Sequence, residues 1–213
     1  MALAIFDLDN TLIDRAVPFR MWASDLVTRH GLDPIEVAWL EAADGDGYVP
    51  RSTFLTQVQA RYGLTGPLPA FLEQFRDFIV EHSVAEPGVA PMLDRLRADG
   101  WTVAIATNGT VGQQARKIER SGLVGHVDAV AISEEVGCAK PDRRMFEAAA
   151  QRAGARLSDG GWMIGDCPLR DIGGGRAVGL RTVWVRRGRT WDAELRSPDA
   201  VVNSVEEVDL GPG

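Results

Sequence analysis

Hydrophobic positions along this chain follow two different patterns. Continuous apolar runs occupy Ala2–Phe6, 101–107 (WTVAIAT), 127–133 (VDAVAIS), 161–166 (GWMIGD) and 181–185 (RTVWV). Runs of this length, rich in β-branched residues, predict strands, and unbroken hydrophobicity predicts burial on both faces of a parallel sheet. Helical patterns in "VGQQARKIERSGL", "RRMFEAAAQRAG" and "LRDIGGGRAVG" lie between the later runs, so the chain from Trp101 onward reads as β-α-β units. Residues 15–86 are mostly helical instead. Phe19, Trp22, Ala23, Leu26 and Val27 share one helical face, and "DPIEVAWLEAA", "STFLTQVQARYG" and "PLPAFLEQFRDFIVEH" continue the theme between Gly- and Pro-rich joins. The expected fold is α/β: a doubly wound parallel sheet from residues 1–14 and 87–213, with a small α-helical cap domain inserted at 15–86. The expected hinges are Asp14–Ala16 and Val84–Gly88.

Composition narrows the partners. The chain has 213 residues and a net charge of -7, which argues against sequence-independent binding to nucleic acid. No apolar stretch reaches membrane-span length, and the N-terminal run reads as a strand rather than a signal peptide. Cys138 and Cys167 are too few for a disulfide framework, so reduced thiols and a cytoplasmic location are expected. His30, His82 and His126 have no zinc-ligand spacing. Arginine supplies nearly all the positive charge, and Lys117 and Lys140 are the two lysines. A lysine in such a chain marks a place that wants a compact ammonium. Lys140 in the turn "GCAKPD" fits that description, whereas Lys117, in the amphipathic helical stretch "QQARKIERSG", reads as a solvated surface residue.

Candidate chemistry collects where strands end, because ligands of open parallel sheets bind beyond the strand carboxyl ends. The first strand runs into Asp7 and Asp9. Residues two apart on a strand point the same way, so these acids either flank a cation or share a proton through part of a cycle. The second strand ends at Thr107 and Asn108, the loop after the third carries Lys140, and the fourth ends at Asp166 with Asp171 following.

Four segments in this order, "DLDNT", "TNG", Lys140-Pro141 and "GDCPLRD", resemble the motifs of the haloacid dehalogenase (HAD) superfamily, with its Rossmann-like core. The resemblance covers roughly residues 1–14 and 84–190, and the helical block matches that family's cap in position. It implies a Mg²⁺-dependent phosphohydrolase acting on a small-molecule phosphate monoester, as a monomer or homodimer. Asp7 would be the nucleophile that becomes an aspartyl-phosphate, and Asp9 the general acid and base. Asp7, Asp166 and the main-chain carbonyl of Asp9 would hold the metal. Thr107 and the Asn108 N–H would bind phosphoryl oxygens, Lys140 would neutralise Asp7 and the phosphoryl group, and Asp171 would orient Lys140 or a metal-bound water.

Rival readings are a haloacid dehalogenase, which by the same resemblance would lack a metal and the second acid, and a catalytically silent phosphate-binding protein. A phosphonate-cleaving relative would need a cap lysine, and residues 15–86 contain none. A signalling receiver domain would place its phosphoacceptor on a later strand. Arg51 and Arg15 are candidates for reading a second anionic group on the substrate. Asp44 and Asp46, in "DGDG", read as a cap turn facing that substrate. The "GGG" at 173–175 reads as close helix packing, not a phosphate loop.

Overall fold

Side chains of the first strand divide by the two-residue period: Ala4 and Phe6 enter one buried cluster, Leu3 and Ile5 another. The computed structural model of the protein describes residues 2–213. In chain order its main elements are β1 (Ala2–Phe6), α1 (Ala16–Arg29), α2 (Glu36–Asp44), α3 (Arg51–Tyr62), α4 (Leu68–Glu81), α5 (Val89–Ala98), β2 (Trp101–Thr107), α6 (Val111–Arg120), β3 (Ala129–Ile132), α7 (Ser133–Val136), α8 (Arg143–Arg152), β4 (Trp162–Gly165), α9 (Gly174–Ala177), β5 (Arg181–Val185) and β6 (Ala200–Val202). The strands form one six-stranded sheet in the order β3-β2-β1-β4-β5-β6, and every neighbouring pair is parallel.

The split seen in β1 recurs in its neighbours. Val103, Ile105, Trp162 and Ile164 face the cluster that holds Val89, Met92, Leu93 and Leu96 of α5 and Ile118 of α6. Ala104, Ala106 and Met163 face Met145, Phe146, Ala149 and Ala150 of α8. Helices therefore cover both faces, which is why the strands read as continuously apolar. The strand order reverses at β1, between β2 and β4, so the carboxyl end of β1 is the topological switch point.

The chain divides into two units. One comprises the residues up to Asp14 together with Val84–Gly213, and the other is Arg15–Ser83. The return to the first unit comes at Val84, where the sequence placed it at residue 87. Ala85 pairs antiparallel with Ile13, which ties the outgoing and returning segments together inside the first unit. The second unit is helical, from α1 to α4, around its own core of Phe19, Trp22, Leu26, Leu40, Phe54, Val58, Phe75 and Ile79. Trp22 meets Phe75 edge-on at 4.8 Å between ring centroids.

Local departures from the sequence reading have physical causes. The run 127–133 shortens to Ala129–Ile132 because Ser133 begins α7. Helix α5 was obscured by Gly88 and Pro91, yet Pro91 lies in its first turn, where a missing N–H costs nothing. Strand β6 is short and partly exposed at the sheet edge, so it carries little apolar signal. The helix expected over "LRDIGGGRAVG" is a π-helical turn, Pro168–Gly173, followed by the single turn of α9. A Cβ on Gly174 would lie 2.7 Å from Phe146 Cζ and one on Gly175 2.6 Å from Met163 Cβ, so these glycines permit the close packing.

Candidate active site

Strand β1 stops at Phe6, and the Asp7 N–H donates to the Ile164 carbonyl at 2.9 Å, holding Asp7 against β4. The chain then turns tightly. Thr11, Leu12 and Ile13 all direct their N–H groups to the Leu8 carbonyl, and Leu8, Leu12 and Ile13 are buried. Asn10 takes a left-handed φ of 62°, which asparagine tolerates. Asp9 therefore lies in a turn, and strand alternation does not set its direction. The expectation that Asp7 and Asp9 are paired by a shared strand face is corrected accordingly: each carboxylate has its own lysine. Lys140 Nζ donates to Asp7 Oδ1 at 2.6 Å, and Lys117 Nζ donates to Asp9 Oδ1 and Oδ2 at 2.7 and 2.9 Å.

Lys117 is buried, 3% exposed, so its reading as a solvated surface residue fails. The polar letters around it hid the helical face on which Gln114, Lys117 and Ile118 all turn inward. Gln114, also missed, donates from one amide nitrogen to Asp9 Oδ2 at 3.0 Å and to Thr107 Oγ1 at 2.7 Å. Gly109 makes room for it. A Cβ there would fall 2.8 Å from Gln114 Cγ, on a backbone with φ +155°.

Asn108 binds the Lys140 backbone twice. Its Oδ1 accepts from Lys140 N at 2.8 Å, and its Nδ2 donates to the Lys140 carbonyl at 3.1 Å. The side chain thus locks the loop that delivers the lysine, a role the sequence did not reveal. The Lys140–Pro141 peptide is cis.

Lys140 also meets Asp171, with Nζ 2.7 Å from Asp171 Oδ1. Asp171 Oδ2 accepts from the Cys167 N–H at 2.9 Å. Gly165 lets the Asp171 side chain pass, since a Cβ there would lie 2.4 Å from Asp171 Oδ2. Asp166 is held by Arg189, whose Nη2 lies 3.0 Å from Oδ2 and donates to the Asp166 carbonyl at 2.9 Å. Arg189 lies in an irregular loop beyond β5, with no pattern to mark it in sequence.

Carboxylate oxygens of Asp7, Asp166 and Asp171, all buried, lie within 4.8 Å of one another. Burial pushes the Asp7 carboxyl well above the usual range; Lys140 pulls it back, while Asp171 and Asp166 push it further up. Burial works against charge on Lys140, but Asp171 and Asp7 outweigh it and raise its pKa. Three carboxylates face Lys140 and Arg189, so with all three ionised one negative charge is in excess, and their mutual repulsion is part of what raises Asp7. Clustered hard oxygen donors with that excess fit a small divalent cation such as Mg²⁺.

Other predicted residues belong to the helical unit. Arg15 grips Asp44 with both terminal nitrogens, at 2.8 and 2.7 Å, and Arg51 Nη1 donates to Asp44 Oδ1. Asp44 is 2% exposed and also accepts from Gly47 N, so it is a buried anchor and not an open turn residue. Cys138 and Cys167 are free thiols, and Cys167 Sγ accepts from Arg170 N.

Comparison with known proteins agrees with this arrangement. The family model for haloacid dehalogenase-like hydrolases matches residues 1–179. A phosphoserine phosphatase of Thermus thermophilus is 30% identical over 250 residues, spanning 99% of this chain and 98% of the relative. A phosphoglycolate phosphatase of Agrobacterium fabrum is 28% identical over 207 residues, covering 94% and 88%. The HAD-hydrolase YfnB of Bacillus subtilis, in a structure bound to magnesium, shares the fold with a TM-score of 0.75 at 20% identity, over 97% of this chain and 96% of that one. With its four motif segments gathered at one sheet edge, this chain is a hydrolase that belongs to the haloacid dehalogenase-like family.

Proposed function

We propose that this hydrolase is a Mg²⁺-dependent phosphatase that cleaves a small-molecule phosphate monoester through an aspartyl-phosphate on Asp7. The observation that carries the reading is Lys140 bridging buried Asp7 and Asp171, with Asp166 alongside. Such a place offers a carboxylate nucleophile together with fixed positive charge for phosphoryl oxygens. The phosphatase relatives support the substrate class.

In this reading an Asp7 carboxylate oxygen bonds to phosphorus while the bond to the leaving oxygen breaks. Asp9 gives that oxygen its proton. Asp9 then takes a proton from water, whose oxygen bonds to phosphorus as the Asp7–phosphorus bond breaks, and inorganic phosphate leaves. The Thr107 hydroxyl and the Asn108 N–H hold phosphoryl oxygens, and Lys140, steadied by Asp171, screens them from Asp7. Asp7, Asp166 and the Asp9 carbonyl would hold Mg²⁺, which when bound supplies positive charge that offsets the repulsion between nucleophile and phosphate. The acid at Asp9 and the Asp166–Asp171 pair weigh against dehalogenation.

Residues 15–83 serve as the cap in this account. Arg15 and Arg51 first of all neutralise Asp44; Arg51, the more exposed of the two, is the one suited to an anionic group on the substrate. Arg51→Ala then raises KM far more for that substrate than for an aryl phosphate. Free cysteines fit a reducing, cytoplasmic setting.

The test is hydrolysis of a panel of phosphate monoesters by wild type and Asp7→Asn, with Mg²⁺ and with chelator. Turnover that needs both Asp7 and the metal is expected. Turnover that survives chelation or the Asp7→Asn change would overturn the reading.

A further inference from the structure

Asp9 is gripped from one side by a single helix. Lys117 reaches both of its carboxylate oxygens, and Gln114 bonds one of them while also bonding Thr107. Both α6 side chains are buried, at 3% and 2% exposure, whereas the Asp9 side chain is 24% exposed. The helix presenting them is anchored by Ile118 in the core one residue on. Gly109, directly before the helix, is a residue whose missing Cβ allows Gln114 to lie where it does.

A role confined to stability explains little of this. Burying an ammonium is costly, and an apolar pair of similar volume would usually serve a fold at least as well. The arrangement instead does something an apolar pair could not do. It fixes the rotation of one carboxylate and couples that carboxylate, through the two hydrogens of one amide, to the Thr107 hydroxyl oxygen.

We propose that Lys117 and Gln114 are positioning residues that aim Asp9 at the leaving-group oxygen. The inference rests on the phosphatase reading, in which the Asp9 proton moves to that oxygen as its bond to phosphorus breaks and the Asp7–phosphorus bond forms. Lys117 holds both Asp9 oxygens in place, and Gln114 sets their position relative to Thr107 and the phosphoryl group it binds. Loss of Lys117 removes no bond to Asp7, Lys140, Asp166 or Asp171 but lets the Asp9 carboxylate wander, and loss of Gln114 does the same while also releasing Thr107.

An alkoxide leaves slowly without a proton, whereas p-nitrophenolate leaves readily. Misdirecting Asp9 must therefore slow alkyl phosphates selectively, and general structural damage must slow both esters alike. The experiment is single-turnover cleavage of an alkyl phosphate and of p-nitrophenyl phosphate, read as release of the alcohol or p-nitrophenol and not of phosphate, with Mg²⁺, by wild type, Lys117→Met, Lys117→Arg and Gln114→Leu. Lys117→Met is expected to slow the alkyl ester about 10- to 100-fold while leaving p-nitrophenyl phosphate nearly unchanged. Lys117→Arg, which keeps a donor and a charge, regains part of the loss. Gln114→Leu removes no charge and is expected to slow the alkyl ester more than p-nitrophenyl phosphate, on top of a loss common to both from the freed Thr107 hydroxyl, so the test stands even if Lys117→Met does not fold. Equal slowing of both esters, or no slowing of either, would overturn this inference alone. A wild type that cleaves neither ester would overturn the phosphatase reading and this inference with it.

Discussion

Lys117 closes on Asp9 through both carboxylate oxygens, at 2.7 and 2.9 Å, from a side chain that is almost wholly buried. Lys140 closes on Asp7 at 2.6 Å. The two lysines of the chain thus each hold one acid of the D-x-D pair. An ammonium is compact enough to be brought to a carboxylate at the end of a buried apolar stem, where a planar guanidinium would need a wider, flatter pocket.

Gly165 is the residue that allows Asp171 to stand beside Lys140. Gly165→Ala places a methyl group 2.4 Å from the present position of Asp171 Oδ2. The expected result is a loss of about 1–3 kcal/mol of stability from overpacking, together with lower phosphatase activity. Urea denaturation of the two proteins measures the first. A variant as stable and as active as wild type would contradict the packing described here.

Asp44 pairs with two guanidinium groups inside the helical unit. Asp44→Ala leaves buried Arg15 and half-buried Arg51 without that counter-ion, which costs about 3 kcal/mol. Denaturant titration, followed by tryptophan fluorescence from Trp22 and Trp39 in that unit, reads the loss. A change within about 0.5 kcal/mol, typical of surface substitutions, would show that the cluster is solvated.

Asp142 caps α8 by accepting from the Arg144 N–H. Bonds from the Arg144 side chain, then from its backbone, lower the Asp142 pKa to about 2 from an ordinary 3.8. Because the folded-state value is depressed, the stabilisation is complete above about pH 3.8 and is lost as pH falls through about 2. Asp142→Ala should therefore melt below wild type at neutral pH, and the gap should narrow through the acid range. Thermal melts across that range test the sign; a gap that widens on acidification would contradict it.

Much of the sheet was legible because parallel strands buried on two faces must be apolar throughout, as in "WTVAIAT". The residues at the strand ends were legible because the chain writes acids, a threonine and a lysine at successive strand ends. What escaped notice was orientation. Asp9 was assigned its direction by strand alternation, but β1 ends at Phe6 and Asp9 lies in a turn anchored on the Leu8 carbonyl, where alternation does not apply. Lys117 escaped because its neighbours Gln113, Gln114, Arg116 and Glu119 made the segment look solvated. The signal was present in the rarity of lysine and in the spacing of 114, 117 and 118 along one face. Arg189 and the backbone clamp by Asn108 depend on contacts between loops far apart in sequence, and no local pattern encodes those.

The most direct test of the central claim is an acid quench during turnover of a phosphate monoester with Mg²⁺, followed by mass spectrometry of the peptide that carries Asp7. A phosphoryl group on Asp7 in the wild-type protein, and none on the same peptide of Asp7→Asn together with loss of turnover, is the predicted result. Phosphate release at an unchanged rate by Asp7→Asn, or a phosphoryl group trapped on a different residue, would contradict it.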